Sequence, residues 1–250
     1  MSQTTITGEN RFVFVAPMFN ASATLGRLLH SLCGQSYENW RLILIDDVSS
    51  KEHRDACESL IHDHFNLLPN RPVITPVWNT EKLWEVANVL KGISSCADND
   101  IVCRIDADDW LTDLDALAMI DAAYQSSGCD LLWTAHRWGF TDKNISGPMQ
   151  EGANVYQHPW VSSHLKTFRK SLLNNVPDIN YRGFDGEYVK RAGDQAIYLP
   201  ALHNSKKRVF LPRVVYHYTI DDVPATYQTP DAHFQRDEAI FLRQRGYVSV

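Results

Sequence analysis

The chain has 250 residues, 44% of them hydrophobic, which suits one large α/β domain with its own core and excludes intrinsic disorder. A formal net charge of −6 excludes nucleic-acid binding as the main role, because a phosphate backbone calls for a clustered basic surface. The five cysteines are an odd set without CxxC or zinc-type spacing, read as small apolar fillers in a reducing, cytoplasmic compartment.

In chain order, Met1 to Asn10 are polar and lack the apolar run of a signal peptide. Phe12 to Ala16 (FVFVA) reads as a buried strand stopped by Pro17. Ala23 to Cys33 reads as a helix with Leu25, Leu28, Leu29 and Leu32 at helical spacing, ended by Gly34 as a C′ residue. Leu42 to Ile45 (LILI) is a second apolar strand, followed by a helix from Lys51 to about His64. Pro72 to Val77 gives a weaker third strand, Leu83 to Ser95 a helix and Ile101 to Ile105 a fourth strand. Asp113 to Gln125 is a helix with Leu114, Leu117, Ile120 and Ala123 on one face, and Asp130 to Thr134 returns as a strand. His136 to Trp160 is loop-rich and aromatic, attached to the sheet, and Val214 to Tyr218 is a late strand. No stretch approaches the ~20 apolar residues of a membrane span. Apolar strands separated by helices imply a parallel sheet covered on both faces, with ligands bound beyond the carboxyl ends of the strands.

Two acidic groups stand at such ends. Asp46 and Asp47 follow LILI directly, and Asp106, Asp108 and Asp109 follow IVCRI. Asp47, with Ser49 and Ser50, has the composition of a cap on the next helix. Three carboxylates in the four residues from Asp106 to Asp109 repel one another unless a cation or donor stands among them. Hard divalent ions take oxygen ligands, one or two carboxylates together with substrate phosphates for Mg²⁺. The turn therefore reads as a metal site, against the plainer reading of a solvated acidic loop.

Taken together, these pieces resemble the inverting glycosyltransferases of family 2. Val15 to Asn20 (VAPMFN) resembles the family's first-strand motif, and Gln35 to Tyr37 with Trp40 to Asp47 its second strand and paired aspartates. Asn79 and Ala87-Asn88 fall where the family has asparagines around its third helix, and Asp106 to Asp109 (DADD) resembles the DXD motif. The resemblance implies the GT-A fold: an α/β, Rossmann-like, mixed but mainly parallel sheet flanked by helices, in a single domain with a C-terminal acceptor-side region. It divides the chain into a nucleotide-sugar-binding half, 11–134, and an acceptor-binding and catalytic half, 135–250. It implies Mn²⁺ or Mg²⁺ as cofactor and a nucleotide-sugar donor, with UDP expected ahead of dTDP and GDP. A glycan or glycoconjugate would be the acceptor, and neither nucleic acid nor a membrane span is involved.

Position by position, Pro17, Phe19 and Asn20 would shape the base pocket, although Phe19 also suits a core aromatic. Asp46 or Asp47 would accept hydrogen bonds from the base, and Asn88 belongs to the same nucleotide-sugar set. Asp106 would hold the ribose hydroxyls and Asp108 the metal at the diphosphate. Arg104 would touch base or donor, or pair with a carboxylate as a strand residue. In the second half, Leu165 to Lys170 resembles the segment preceding the catalytic acid, and Gly193 to Pro200 (GDQAIYLP) resembles the helix start that carries it. Asp194 is the candidate general base, the N-cap of the helix from Gln195, or both. The family often has Glu where this chain has Gly193, and Asp185 and Glu187 are the rivals for the base. His217 would complete the metal site with Asp108, or serve as a hydrogen-bonded strand histidine. Trp133, Trp138 and Trp160 would form a sugar-stacking platform or pack in the core. Two other classes compete. A non-catalytic nucleotide-sugar or carbohydrate-binding module would be favoured by loss of Asp108 or of every base, and neither is lost. A nucleotidyltransferase needs a Gly-rich, basic phosphate loop after the first strand, and Pro17 to Thr24 holds neither glycine nor Lys or Arg.

Overall fold

The computed structural model describes residues 10–67, 74–219 and 230–249. The polar reading of the first nine residues, and the start of the third strand at Pro72, lie outside the described residues. Four strands, β1 (Phe12–Met18), β2 (Trp40–Asp46), β3 (Ile74–Trp78) and β4 (Ile101–Arg104), pair in parallel in the order β3-β2-β1-β4. Beyond β4 the sheet becomes mixed. β7 (Lys166–Arg169) inserts antiparallel between β4 and β6 (Leu131–Trp138), and β8 (Arg208–Tyr218) runs parallel to β6. A two-residue strand, β5 (Trp110–Leu111), closes the far edge antiparallel to β8.

Both faces of the sheet are covered, which is why β1 is apolar without interruption. Phe12, Phe14 and Ala16 point into one core, with Leu25, Leu28 and Leu29 of α1 (Leu25–Cys33) and Leu117 and Ile120 of α4 (Ala116–Ser127). Cys57 and Ile61 of α2 (Lys51–Leu67) join that core. Val13 and Val15 point into the other, with Val86 and Val89 of α3 (Trp84–Ile93), Ala196 to Leu199 of α5 (Gly193–Asn204) and Leu242 of α6 (Pro230–Arg245). A Cβ on Gly92 would lie 2.5 Å from Val15 Cγ1 and 3.1 Å from Ile45 Cδ1. Glycine thus lets α3 lie close on β1 and β2, with its N-terminal half at the carboxyl ends of the strands.

Several local expectations are corrected. Pro17 does not end β1, which runs on to Met18. Val15 is the last β1 residue in register with β4, so the missing N–H of Pro17 faces a side where pairing has already stopped. Gly34 has φ −79°, not a left-handed value, and is needed for close approach, since a Cβ would sit 3.1 Å from Leu114 Cδ2. Leu114 precedes α4 and is exposed, so the buried face of that helix starts at Ala116. β6 continues past Thr134 to Trp138 through irregular register at Ala135, shortening the loop-rich region. No helix among the described residues is long and apolar enough to cross a membrane.

Candidate active site

The turn after β4 carries the acidic cluster from the centre of the sheet to its far edge, where β5 pairs with β8. Asp109 is buried there. The Tyr216 hydroxyl donates to its Oδ2 at 2.5 Å and the Thr219 N–H to its Oδ1 at 2.7 Å. Burial, with Asp106 and Asp108 adding repulsion, pushes the Asp109 carboxyl well above the usual carboxylate range against those two donors. Asp106 and Asp108 face outward into a cleft of about 720 Å³ that is also lined by Phe19, Asp47, Glu85 and Asn88. Ligand atoms of Asp106, Asp109 and His164 lie within 4.8 Å of one another, the one such group of three among the described residues. His164 is held between Tyr216 and Tyr218, with stacked centroids at 4.7 and 4.9 Å.

Arg104, fully inside, joins this turn to its surroundings. It donates to Asp106 Oδ2 at 2.5 Å and to Glu85 of α3, so it pairs with carboxylates and does not line the cleft. Burial pushes the Glu85 carboxyl up to about 7 against the pull of Arg104, and the charges of Asp106 and Asp194 add to the rise. An ideal Cβ on Gly193 would lie 2.6 Å from Glu85 Oε2. A carboxylate from α3 therefore fills the space beside Gly193, the position at which the family often has a glutamate.

The residues expected to bind the nucleotide sugar separate. Asp47 lines the cleft, and its carboxylate accepts the Leu83 N–H at 2.7 Å and the Trp84 N–H at 3.0 Å. It thus holds the start of α3, not of α2, whose first turn takes the Ser50 hydroxyl instead. Asp46 is buried and turned away, receiving Arg54 Nη2 at 2.8 Å. Pro17 and Phe19 line the cleft, and the exposed ring of Phe19 lies under Lys82 Nζ at 3.7 Å. Asn20, at φ 51°, lines a smaller adjoining recess and ties the β1 exit to the start of α2 by accepting the Ser50 N–H at 3.0 Å. Asn88 is wholly buried. Its Oδ1 accepts from Asn79 at 2.7 Å, and its Nδ2 has no protein partner.

Asp194 sits in the first turn of α5. The cap position itself is Ala192, so Asp194 is not the N-cap, although its Oδ1 accepts the Gln195 N–H at 2.7 Å. Its Oδ2 lies 3.7 Å from Nζ of Lys166, a buried β7 lysine whose ammonium is pushed down by burial against the opposing charge of Asp194. Asp194 lines a second cleft of about 550 Å³ with Trp138, Trp160, His164 and Tyr218. Trp133 packs in the core and donates to the Gly147 carbonyl at 3.0 Å, so the platform expected of three tryptophans has two at the cleft. Ala232 and Gln235 of α6 border both clefts. Asp185 and Glu187 are in an exposed turn, where Lys190 draws Asp185 at 3.0 Å, and neither lines a cleft. His217 faces away from this group. It stacks on Trp110 at 3.7 Å, whereas Tyr216 and Tyr218, its neighbours along β8, face His164.

Sequence reasoning passed over Glu85, His164 and Lys166. Glu85 carried a signal: it precedes Asn88 by three residues, and i, i+3 positions share a helix face. His164 and Lys166 carried none, because what they touch comes from β4, β8 and α5.

The sequence profile of the family described as Glycosyl transferase family 2 matches residues 13–188. No curated protein sequence matches the chain. Among solved structures, S. aureus TarS 1–349 in complex with UDP-GlcNAc is similar, with a TM-score of 0.66 at 15% identity. That match covers 88% of this chain and 61% of TarS 1–349. The same protein in complex with UDP gives 0.65 at 17% identity, over 93% and 70% of the two chains. The mannosyltransferase PcManGT from Pyrobaculum calidifontis, in complex with GDP-Man and Mn²⁺, gives 0.56 at 14% identity over 94% and 73%. These identities establish the GT-A fold alone.

Proposed function

The chain belongs to glycosyltransferase family 2, and from that premise we propose that it moves a sugar, with inversion, from a UDP-sugar onto a hydroxyl of a glycan or glycoconjugate. The observation that carries this reading is the meeting of two clefts: one bordered by the Asp106–Asp109 turn, the other by Asp194, with Glu85 and Gly193 between them. The donor occupies the first and the acceptor the second, so residues 11–134 serve mainly the nucleotide sugar and 135–250 the acceptor and the base. The similar structures solved with UDP-GlcNAc and with UDP support a UDP-sugar as the donor.

In this reading Pro17, Phe19 and Asn20 shape the base pocket, and Asp47 accepts a hydrogen bond from the base. Asn88 offers its unpartnered N–H, and Asp106 takes the ribose hydroxyls. A divalent cation fits the acidic turn, because three carboxylates stand within four residues there, Asp109 is crowded by the other two, and Asp106 and Asp108 both open onto the cleft. Asp106 and Asp108, with Asp109 and His164 behind them, would hold it. His217 stays a candidate only if its ring leaves Trp110. Bound there, Mn²⁺ or Mg²⁺ would supply positive charge to the departing diphosphate. Asp194 takes the proton of the acceptor hydroxyl, whose oxygen attacks the anomeric carbon from the face opposite the diphosphate. Trp138 and Trp160 offer ring faces for the acceptor.

The test is a screen of nucleotide sugars for metal-dependent release of nucleoside diphosphate, with Asp108→Ala and Asp194→Ala alongside. Release that depends on both residues is the expected result. Full transfer by Asp194→Ala would assign the base elsewhere, and absence of nucleotide binding with or without Mn²⁺ would end the enzyme reading.

A further inference from the structure

We propose that Glu85 reads the transferred sugar, accepting hydrogen bonds from its hydroxyls, and that the donor sugar is accordingly neutral and hydroxyl-rich, not a uronate; this rests on the donor-cleft reading above. Glu85 lines the first cleft from α3, three residues before Asn88 and on the same helix face. It also abuts Gly193, the residue before Asp194, which lines the second cleft. Glu85 thus stands at the boundary between the clefts, where a sugar passing from diphosphate to acceptor must sit.

The chemistry of the position is specific. Arg104 engages Glu85 Oε1 and, with its other terminal nitrogen, Asp106. One guanidinium therefore orients two carboxyl groups without consuming the acceptor capacity of either, since each keeps oxygen lone pairs that Arg104 does not use. Glu85 Oε2 is turned toward Gly193, and its side chain keeps 19% exposure at the cleft wall. Any side chain at 193 would displace it: a Cβ would lie 2.8 Å from Cγ as well as 2.6 Å from Oε2. The missing side chain at 193 is what allows a carboxylate from another helix to reach this point. Sugar hydroxyls donate to the oxygens of a fixed carboxyl group, whereas a uronate carboxylate brought to this point meets the negative charge of Asp106 and Asp194 and is repelled.

The experiment compares affinities, in Mn²⁺, for UDP, GDP and dTDP, their neutral-sugar conjugates and UDP-glucuronate, by calorimetry on the whole chain. In the native protein a neutral conjugate binds more tightly than the uronate. Glu85→Gln leaves the nucleoside diphosphate within about twofold and weakens its neutral conjugate about tenfold or more. The double variant Glu85→Ala/Gly193→Asp regains part of what Glu85→Ala loses, because an aspartate carboxyl carbon is one bond beyond Cβ and enters the vacated space. Equal weakening of diphosphate and conjugate would make Glu85 a structural partner of Arg104 and overturn the proposal. So would unchanged affinity for the conjugate, or a preference for the uronate. If the native protein binds no nucleoside diphosphate, the transferase reading itself fails and this inference falls with it.

Discussion

Gly193 and Glu85 form a pair in which each explains the other. Glycine has no conformational role at 193, which opens a helix; it is there because Glu85 occupies the space a Cβ would need. Gly193→Ala is therefore expected to cost about 1–3 kcal/mol through overpacking. Most of that penalty should vanish in a Glu85→Ala background, and a double-mutant cycle in urea unfolding measures the coupling. Additive effects would mean that the two residues do not compete for space. Asp194 supports a second prediction. It lines the second cleft and not the first, so Asp194→Asn should lower transfer by roughly 10²–10⁴-fold while nucleoside diphosphate affinity stays the same. Calorimetry beside a turnover assay separates the two, and a parallel loss of binding would place Asp194 in the donor site.

Among the elements, α6 decides how the loop before α5 is held. Glu238 is buried and accepts the backbone N–H groups of Lys190, Arg191 and Ala192 at 2.9, 2.8 and 3.0 Å. Those three residues lead directly into the turn that carries Asp194. Glu238→Ala leaves three donors unmatched and should destabilise the fold by about 2–4 kcal/mol in chemical denaturation. Transfer should fall further than the lost stability explains, because Ala192 and Asp194 share a cleft wall with α6. An unchanged denaturation midpoint would show that water replaces the carboxylate without penalty. Asp47 does the same at the first cleft. By accepting from Leu83 and Trp84 it fixes the entry of α3, and hence where Glu85 and Asn88 project.

For the molecule as a whole, the second cleft is backed by buried basic groups kept short of protons. Burial, with the Lys166 ammonium adding to it, pushes the His136 imidazole down to about 4. The Trp138 indole N–H donates to His136 Nε2 at 2.7 Å, so the ring proton belongs on Nδ1, facing the Ser146 hydroxyl at 3.1 Å. Burial also holds His164 well below its ordinary value. The unfolded chain titrates His136 near 6.5. As pH falls from there toward 4, the unfolded state takes up a proton that the folded state refuses, and stability drops by about 3 kcal/mol from this residue alone. Above pH 6.5 the ring is neutral in both states and contributes no slope. His136→Gln should flatten the stability–pH curve between 6.5 and 4 by that amount, as read from urea unfolding at a series of pH values. A slope unchanged by the substitution would show that the histidine is not buried neutral.

The sequence by itself determined the parallel half of the sheet and the location of the acidic turn. β1, β2 and β4 lie between two covering layers, so both sides of each strand must be apolar, and that leaves a continuous run readable without any partner. The aspartates at 106, 108 and 109 were legible for a similar reason, since their mutual repulsion is set by adjacency along the chain. Tertiary structure decided which side chains join them. Asp46 and Asp47 are neighbours in sequence, yet one pairs with Arg54 and the other holds α3, because successive residues at a strand end point in opposite directions. The same alternation along β8 sends His217 to Trp110 and its two tyrosine neighbours to His164. β5, β7 and the last residues of β6 are strands only because β4 and β8 supply their partners. Glu85 meets Gly193 across more than a hundred residues of chain, a contact that packing creates and that no local pattern encodes.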